Sequence, residues 1–228
     1  MKIIAFPFAG GNKTSFNSLF KNSDMDVTTI NYPGRGSRVR ETLLTEIEDL
    51  VDDCFEQVLM LMPSDDNYII YGHSMGALIG FLVCKRLKKL DYKQPLKLVV
   101  SGHKAPKYPR DKKISHLPDD LFWEEVTRYG GVPDDLAQYP DLIKFFIPIL
   151  KADFQTIEAY EHQYERALHI PIDVFYGSDE SITYETATDW ELETTNTVTV
   201  RELKGNHFFI YPHKETLHQS FLVGSAFY

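Results

Sequence analysis

A serine, a histidine and a carboxylate stand in this chain where together they could break an acyl bond. Ser74 sits in Gly72-His-Ser-Met-Gly76, directly after the apolar run Tyr68-Ile-Ile-Tyr71. A serine between two such glycines, on a turn from strand to helix, has its hydroxyl pushed out toward substrate. The flanking residues must be tiny, because the turn brings strand and helix backbones close and stores dihedral strain that glycine tolerates. Chance supplies the bare pattern in roughly one chain of this length in ten, so the context has to decide. Residues 77–90 provide it: Leu78, Phe81, Leu82, Leu87 and Leu90 keep helical spacing, with Lys85, Arg86, Lys88 and Lys89 off that stripe. A buried serine at a glycine-rich turn is the alternative, and the strand–turn–helix context argues against it.

A serine hydroxyl is a poor nucleophile at neutral pH. It needs a base, and an acid that fixes the base's tautomer. Where a strand-to-helix serine elbow is used, the chain order is serine, acid, histidine. The sequence has eight histidines. His73 lies inside the elbow, His103 and His116 precede any plausible acid, and His162 and His169 fall in an insertion between core strands. His213 and His218 belong to a C-terminal helix. His207, in Lys204-Gly-Asn-His-Phe-Phe209, follows the last strand through a glycine loop and fits the base. The acid should follow the fifth strand, in Gly177-Ser-Asp-Glu180. Asp179 and Glu180 both qualify, spacing does not separate them, and the other is a solvated loop charge. The negative oxygen formed during attack needs two backbone N–H donors. Met75, after the nucleophile, supplies one; the loop after the first strand, within Phe8-Ala9-Gly10, supplies the other.

These residues must be presented by a regular frame. Strands are predicted at Lys2–Phe6, Val27–Tyr32, Asn67–Tyr71, Leu96–Ser101, Ile172–Tyr176 and Thr197–Leu203. A helix is predicted at Thr42–Met62, with Leu43, Ile47, Leu50, Cys54, Val58 and Leu61 on one face, and another over part of residues 212–223. Apolar strands alternating with helices imply an α/β fold with a mostly parallel sheet covered on both faces. Sites in such sheets lie at the carboxyl ends of the strands, where every candidate falls. Residues 114–168 interrupt the alternation with helix signals only, as a lid inserted between core strands would. Phe145, Phe146, Ile149, Phe154, Ile157 and Tyr160 could line an acyl pocket there or pack the insertion on the core.

The chain has 228 residues, 43% of them hydrophobic and 25% charged, which suits one large domain spanning 1–228. Its net charge of −9 argues against nonspecific binding to nucleic acid or anionic membrane. Cys54 and Cys84 read as free core thiols, and no apolar run approaches a membrane span, so a cytoplasmic location is expected. No histidine or cysteine spacing suggests a metal site. No phosphate loop or dinucleotide fingerprint is present, and no cofactor is expected. A monomer is compatible with the sequence. The basic run Lys104, Lys107, Arg110, Lys112, Lys113 is either a solvated loop or a guide for an acidic partner.

The assembled segments resemble the type II thioesterases, the external editing enzymes of nonribosomal peptide and polyketide synthesis. The resemblance rests on Phe6-Pro-Phe-Ala-Gly-Gly11, Pro33-Gly-Arg-Gly36, Gly72-His-Ser-Met-Gly76, Ser115-His-Leu-Pro-Asp-Asp120, Gly130-Gly-Val-Pro133, Phe146-Ile-Pro148 with Lys151-Ala-Asp-Phe154, and Gly205-Asn-His-Phe208. It implies an α/β-hydrolase fold with a helical lid, and hydrolysis of acyl or aminoacyl groups from the phosphopantetheine arm of an acyl- or peptidyl-carrier protein. It carries the nucleophile onto Ser74, the base onto His207 and the oxyanion donors onto Ala9 and Met75. The family's acid usually stands three residues after the glycine that ends the fifth strand, normally as Asp. That register falls on Glu180, with Asp179 one residue earlier, and both are retained. Lys151 replaces the arginine common in the family's Arg-Ala-Asp segment. A general carboxylesterase, or a noncatalytic module that binds carrier proteins, would share many of these features.

Overall fold

Ile3 and Ala5 are buried on one face of the first strand, and Ile4 and Phe6 on the other. This two-residue period with both faces buried is the signature of a central strand in a covered parallel sheet. The computed structural model describes residues 1–63, 67–130 and 138–222. Six strands, β1 (Lys2–Phe6), β2 (Asp26–Thr29), β3 (Tyr68–His73), β4 (Leu98–Ser101), β5 (Ile172–Gly177) and β6 (Val198–Leu203), form one sheet in the order β2-β1-β3-β4-β5-β6. Every neighbouring pair is parallel.

The helices are α1 (Ile47–Leu61), α2 (Met75–Lys89), α3 (Asp119–Thr127), α4 (Pro140–Ala159), α5 (Tyr184–Thr188) and α6 (Lys214–Ser220). On one face, Cys54 and Val58 of α1 and Leu78, Phe81 and Leu87 of α2 pack against Ile4, Phe6 and Ile70. On the other, Phe16 and Leu19 from the segment after β1, and Leu217 of α6, cover Ile3, Ile69 and Val99. Both cysteines are buried and free, as their helical positions predict. No helix among the described residues is long and apolar enough to cross a membrane.

Most element boundaries fall within two residues of expectation. The largest departure is α1, which begins at Ile47 rather than Thr42. A 3-10 turn at Gly36–Arg38 precedes it. The Arg38 guanidinium binds Glu41, Asp53 and the Asn31 carbonyl, which holds the intervening segment as a loop. Leu43 lies so close to Gly34, where φ is +77°, that a Cβ there would meet its Cδ2 at 2.3 Å. Leu43 thus packs on the loop and Leu44 on the core, both outside regular secondary structure. β2 stops at Thr29. Ile30 adds one more ladder bond, to the Ala5 carbonyl at 2.8 Å, and Tyr32 turns in to donate its hydroxyl to the Pro7 carbonyl at 3.0 Å.

The chain between β4 and β5 carries α3 and α4, with no strand among its described residues. Gly131, Val132 and Pro133, and residue 223 of the expected last helix, lie outside the described residues.

Candidate active site

The sheet order places the site. From β1 the chain first runs outward to β2, then crosses back to β3 on the other side of β1. Loops leaving the carboxyl ends of β1 and β3 therefore diverge and open a crevice. Phe6 pairs in register with Gly72, so the loop after β1 lies beside the serine elbow.

The elbow needs both its glycines. A Cβ on Gly76 would meet the Phe6 carbonyl oxygen at 2.0 Å, and one on Gly72 the Gly76 carbonyl oxygen at 2.2 Å. Ser74 itself takes φ +56° and ψ −120°, a strained backbone for a side chain to hold. Its N–H donates to the Ser101 carbonyl at 2.8 Å, which pins the strained residue to β4. Helix α2 starts at Met75, so its positive end faces the nucleophile.

The loops after β5 and β6 meet because Gly177 lets them. A Cβ there would lie 2.6 Å from the Gly205 carbonyl oxygen. This contact brings Glu180 to His207, with Nδ1 to Oε1 at 2.5 Å. A carboxylate can only accept, so Nδ1 carries the hydrogen and the lone pair is left on Nε2. The other Glu180 oxygen accepts the Gly177 N–H at 2.6 Å, so both oxygens are engaged and the carboxylate cannot swing. Asp179 is exposed, and its carboxylate accepts from the neighbouring Ser178 hydroxyl at 2.8 Å. Of the two adjacent acids, only Glu180 meets the histidine.

Ser74, His207, Glu180 and Ala9 line one cleft of about 640 Å³. Its apolar wall comes largely from the helical insertion, through Trp123 and Val126 of α3 and Leu142, Phe146, Phe154 and Ile157 of α4. Phe145, Ile149 and Tyr160, considered for the same wall, are not part of it; Ile149 is buried and Phe145 faces outward.

Candidate N–H donors differ in their freedom. Gly10 N–H is committed to Asp153 Oδ2 at 2.7 Å, and Gly11 N–H to the Phe8 carbonyl at 2.8 Å. Within Phe8-Ala9-Gly10 this removes Gly10 and leaves Phe8 and Ala9, both at the cleft; the resemblance favours Ala9. Asp153 was not among the expected site residues. It lies on α4, 1% exposed, and forms a two-pronged ion pair with buried Arg35 at 2.5 and 2.6 Å. The pair ties the front loop, the Pro33–Gly36 loop and α4 together. A sequence signal existed: Arg35 and Asp153 each sit in a motif of the resemblance, with no partner assigned.

The other histidines do different work. His73 is fully buried, with Nδ1 2.9 Å from the Ser101 hydroxyl and its ring 4.9 Å from that of His207. Burial, and secondarily the neighbouring His207, hold His73 well below the usual imidazole range. It stays neutral. His103 lines the cleft and is pushed down to about 4, again mainly by burial. His162 pairs with Glu193, His169 with Thr195, and His213 and His218 with the Lys204 and Leu19 carbonyls.

The basic run is mostly neutralised locally. Lys104 pairs with Asp111 at 2.7 Å, and Lys107 with Asp189 and Lys112 with Glu125 at 2.8 Å each.

Residues 1–221 match the family model of the thioesterase domain. The chain is 31% identical over 218 residues to the gramicidin S biosynthesis protein GrsT of Aneurinibacillus migulanus, a match covering 94% of this chain and 84% of that protein. Among solved structures it is similar to the RedJ thioesterase of the prodiginine biosynthetic pathway in Streptomyces coelicolor. That likeness has a TM-score of 0.87 and 29% identity, and covers 96% of this chain and 84% of that one. It is also similar to YbtT, a type II thioesterase from the yersiniabactin NRPS/PKS pathway, with a TM-score of 0.86, 25% identity and coverage of 96% and 90%.

Proposed function

The chain belongs to the thioesterase domain family, and from that premise we propose that it is a type II thioesterase clearing acyl or aminoacyl groups from the phosphopantetheine arm of a peptidyl- or acyl-carrier protein. The α/β-hydrolase fold and the thioester hydrolase class come with the family. The observation that carries the mechanism is the convergence on one cleft of the strained Ser74 with His207 already held by Glu180.

In this reading the Ser74 hydroxyl oxygen bonds to the thioester carbonyl carbon while Nε2 of His207 takes its proton. Glu180 fixes the ring through Nδ1–H and stabilises the imidazolium. The Ala9 and Met75 N–H groups receive the negative oxygen, with the N-terminus of α2 adding its dipole. The carbon–sulfur bond then breaks, and the imidazolium proton goes to the departing thiolate. Water next gives its proton to His207 as its oxygen attacks the acyl-serine carbon, releasing the carboxylic acid and restoring Ser74. The helical insertion over residues 114–168 acts as the lid that gives the acyl group its apolar surroundings. The resemblance of GrsT, RedJ and YbtT, all named for biosynthetic pathways, supports a carrier-bound substrate.

Ser74→Ala is expected to keep its fold by circular dichroism and lose turnover of acyl-carrier protein. Retained turnover would sink the assignment. Hydrolysis of a free ester of the same acyl group at an equal kcat/KM would favour a general carboxylesterase instead.

A further inference from the structure

We propose that Arg110 forms an anion-binding subsite in the cleft, and that acyl groups ending in a free carboxylate are the preferred substrates. The proposal rests on the thioesterase reading above and adds the substrate class to it.

Three lysines in the Lys104–Lys113 segment have a carboxylate partner. Arg110 is different. Among the described residues no carboxylate lies within ion-pair distance of its guanidinium, and its Nε is buried with no hydrogen-bond acceptor. Its Nη2 donates to the Tyr129 hydroxyl at 2.8 Å. Its guanidinium carbon stands 5.7 Å from the Tyr129 ring centre and 5.1 Å from that of Phe154. All three residues line the cleft that holds Ser74 and His207. Asp111 lines it too, but its carboxylate is committed to Lys104 at 2.7 Å and to the Ser181 hydroxyl at 3.0 Å.

The guanidinium is half-buried on an apolar wall, the carboxylate whose charge it feels, Asp111, is bonded elsewhere, and the ring contacts compensate only in part for a buried Nε without an acceptor. An arriving carboxylate completes it. The planar fork presents parallel donors that match a carboxylate's two oxygens, and the low-dielectric wall strengthens the pairing. Position sets the ligand's length. The Tyr129 ring packs 5.6 Å from the His207 ring, so a single aromatic ring separates base from guanidinium. A short dicarboxylic acid, thioesterified at one end, spans that gap with its free carboxylate on Arg110. No bond to Arg110 forms or breaks; the contribution is recognition alone.

The test compares malonyl, succinyl and glutaryl thioesters with acetyl and butyryl ones, each on pantetheine and on phosphopantetheine. Wild-type enzyme and Arg110→Met are assayed for kcat/KM. The methyl ester of the succinyl thioester is an uncharged control that needs no variant. Wild type is expected to prefer succinyl to its methyl ester by about 10- to 100-fold, the range of a charged hydrogen bond. Arg110→Met should lose that preference while acetyl and butyryl rates stay within about twofold. Equal wild-type rates on the free acid and its methyl ester would overturn the subsite. So would an Arg110→Met loss that is uniform across acyl groups, or one confined to phosphopantetheine substrates, which would assign the arginine to the phosphate. Hydrolysis of none of these thioesters would sink the thioesterase reading itself, and the subsite with it.

Discussion

At the scale of single residues, the choice of acid turns on one position along a loop. Glu180 gives one oxygen to Nδ1 of His207 and the other to the Gly177 N–H, whereas exposed Asp179 bonds to its neighbour Ser178. Glu180→Gln is expected to lower kcat by about a hundredfold or more, because an amide can present the wrong group to the imidazole and unsettle its tautomer. Asp179→Asn should stay within about threefold, as exposed charges contribute little. Steady-state kinetics of the two variants decide it; equal effects would detach the acid role from this contact. Sequence reading reached both acids and, from the resemblance, leaned on register, but which carboxylate turns inward depends on the close approach of the β5 and β6 loops at Gly177. That approach is a contact between segments 28 residues apart at Gly205, and no local pattern encodes it.

Among the elements, α4 does more than roof the cleft. Asp153 fastens it to Gly10 and Arg35, Leu150 crowds the same glycine at 2.7 Å from a notional Cβ, and Glu158 accepts from the Ile114 N–H at 2.7 Å and the Ser115 hydroxyl at 2.5 Å. The front loop is therefore held from the insertion side, and its N–H directions depend on α4. Asp153→Ala removes the anchor and strands a buried guanidinium. We expect a loss of about 3 kcal/mol or more in stability, with kcat falling at least about tenfold while KM changes little. Asp153→Asn keeps a carbonyl for Gly10 and should retain more kcat than the alanine variant; the reverse ranking would refute the positioning role. Gly76→Ala tests the elbow in the same way. Its Cβ meets backbone that cannot step aside, and a urea midpoint shift equivalent to about 3 kcal/mol or more is expected. Helices α1 and α2 were readable from their apolar stripes, whereas the five-residue α5, held by a Thr183–Thr186 capping box, is too short to show one. The start of α1 was not, since Arg38 holds the preceding loop through Asp53, a residue 15 positions on.

Across the whole molecule, buried histidines couple stability to pH. His73 is held neutral in the fold and is free to protonate near pH 6.5 once unfolded. Below that pH the unfolded state takes up a proton that the folded state refuses, so stability falls as pH drops. His73 contributes up to about 1.4 kcal/mol per pH unit. His103, pushed down to about 4, acts in the same direction between about pH 6.5 and 4. Melting temperatures at pH 7.5 and 5.5 should diverge for the wild type and less so for His73→Gln; an identical loss in both would clear His73. Strand alternation made the parallel sheet legible in the sequence, but the spatial order of strands came only with the structure, and that order has a consequence for enzyme assays. Ser74 follows the interior strand β3, flanked by β1 and β4, while His207 follows β6, which among the described residues is an edge strand paired to β5 alone and only partly buried. Turnover needs both and is lost once the margin of the sheet gives way, even while its middle holds. In mild urea, hydrolysis should vanish while amides of β1, β3 and β4 still resist exchange with deuterium, so an activity melt would underestimate how long the core survives.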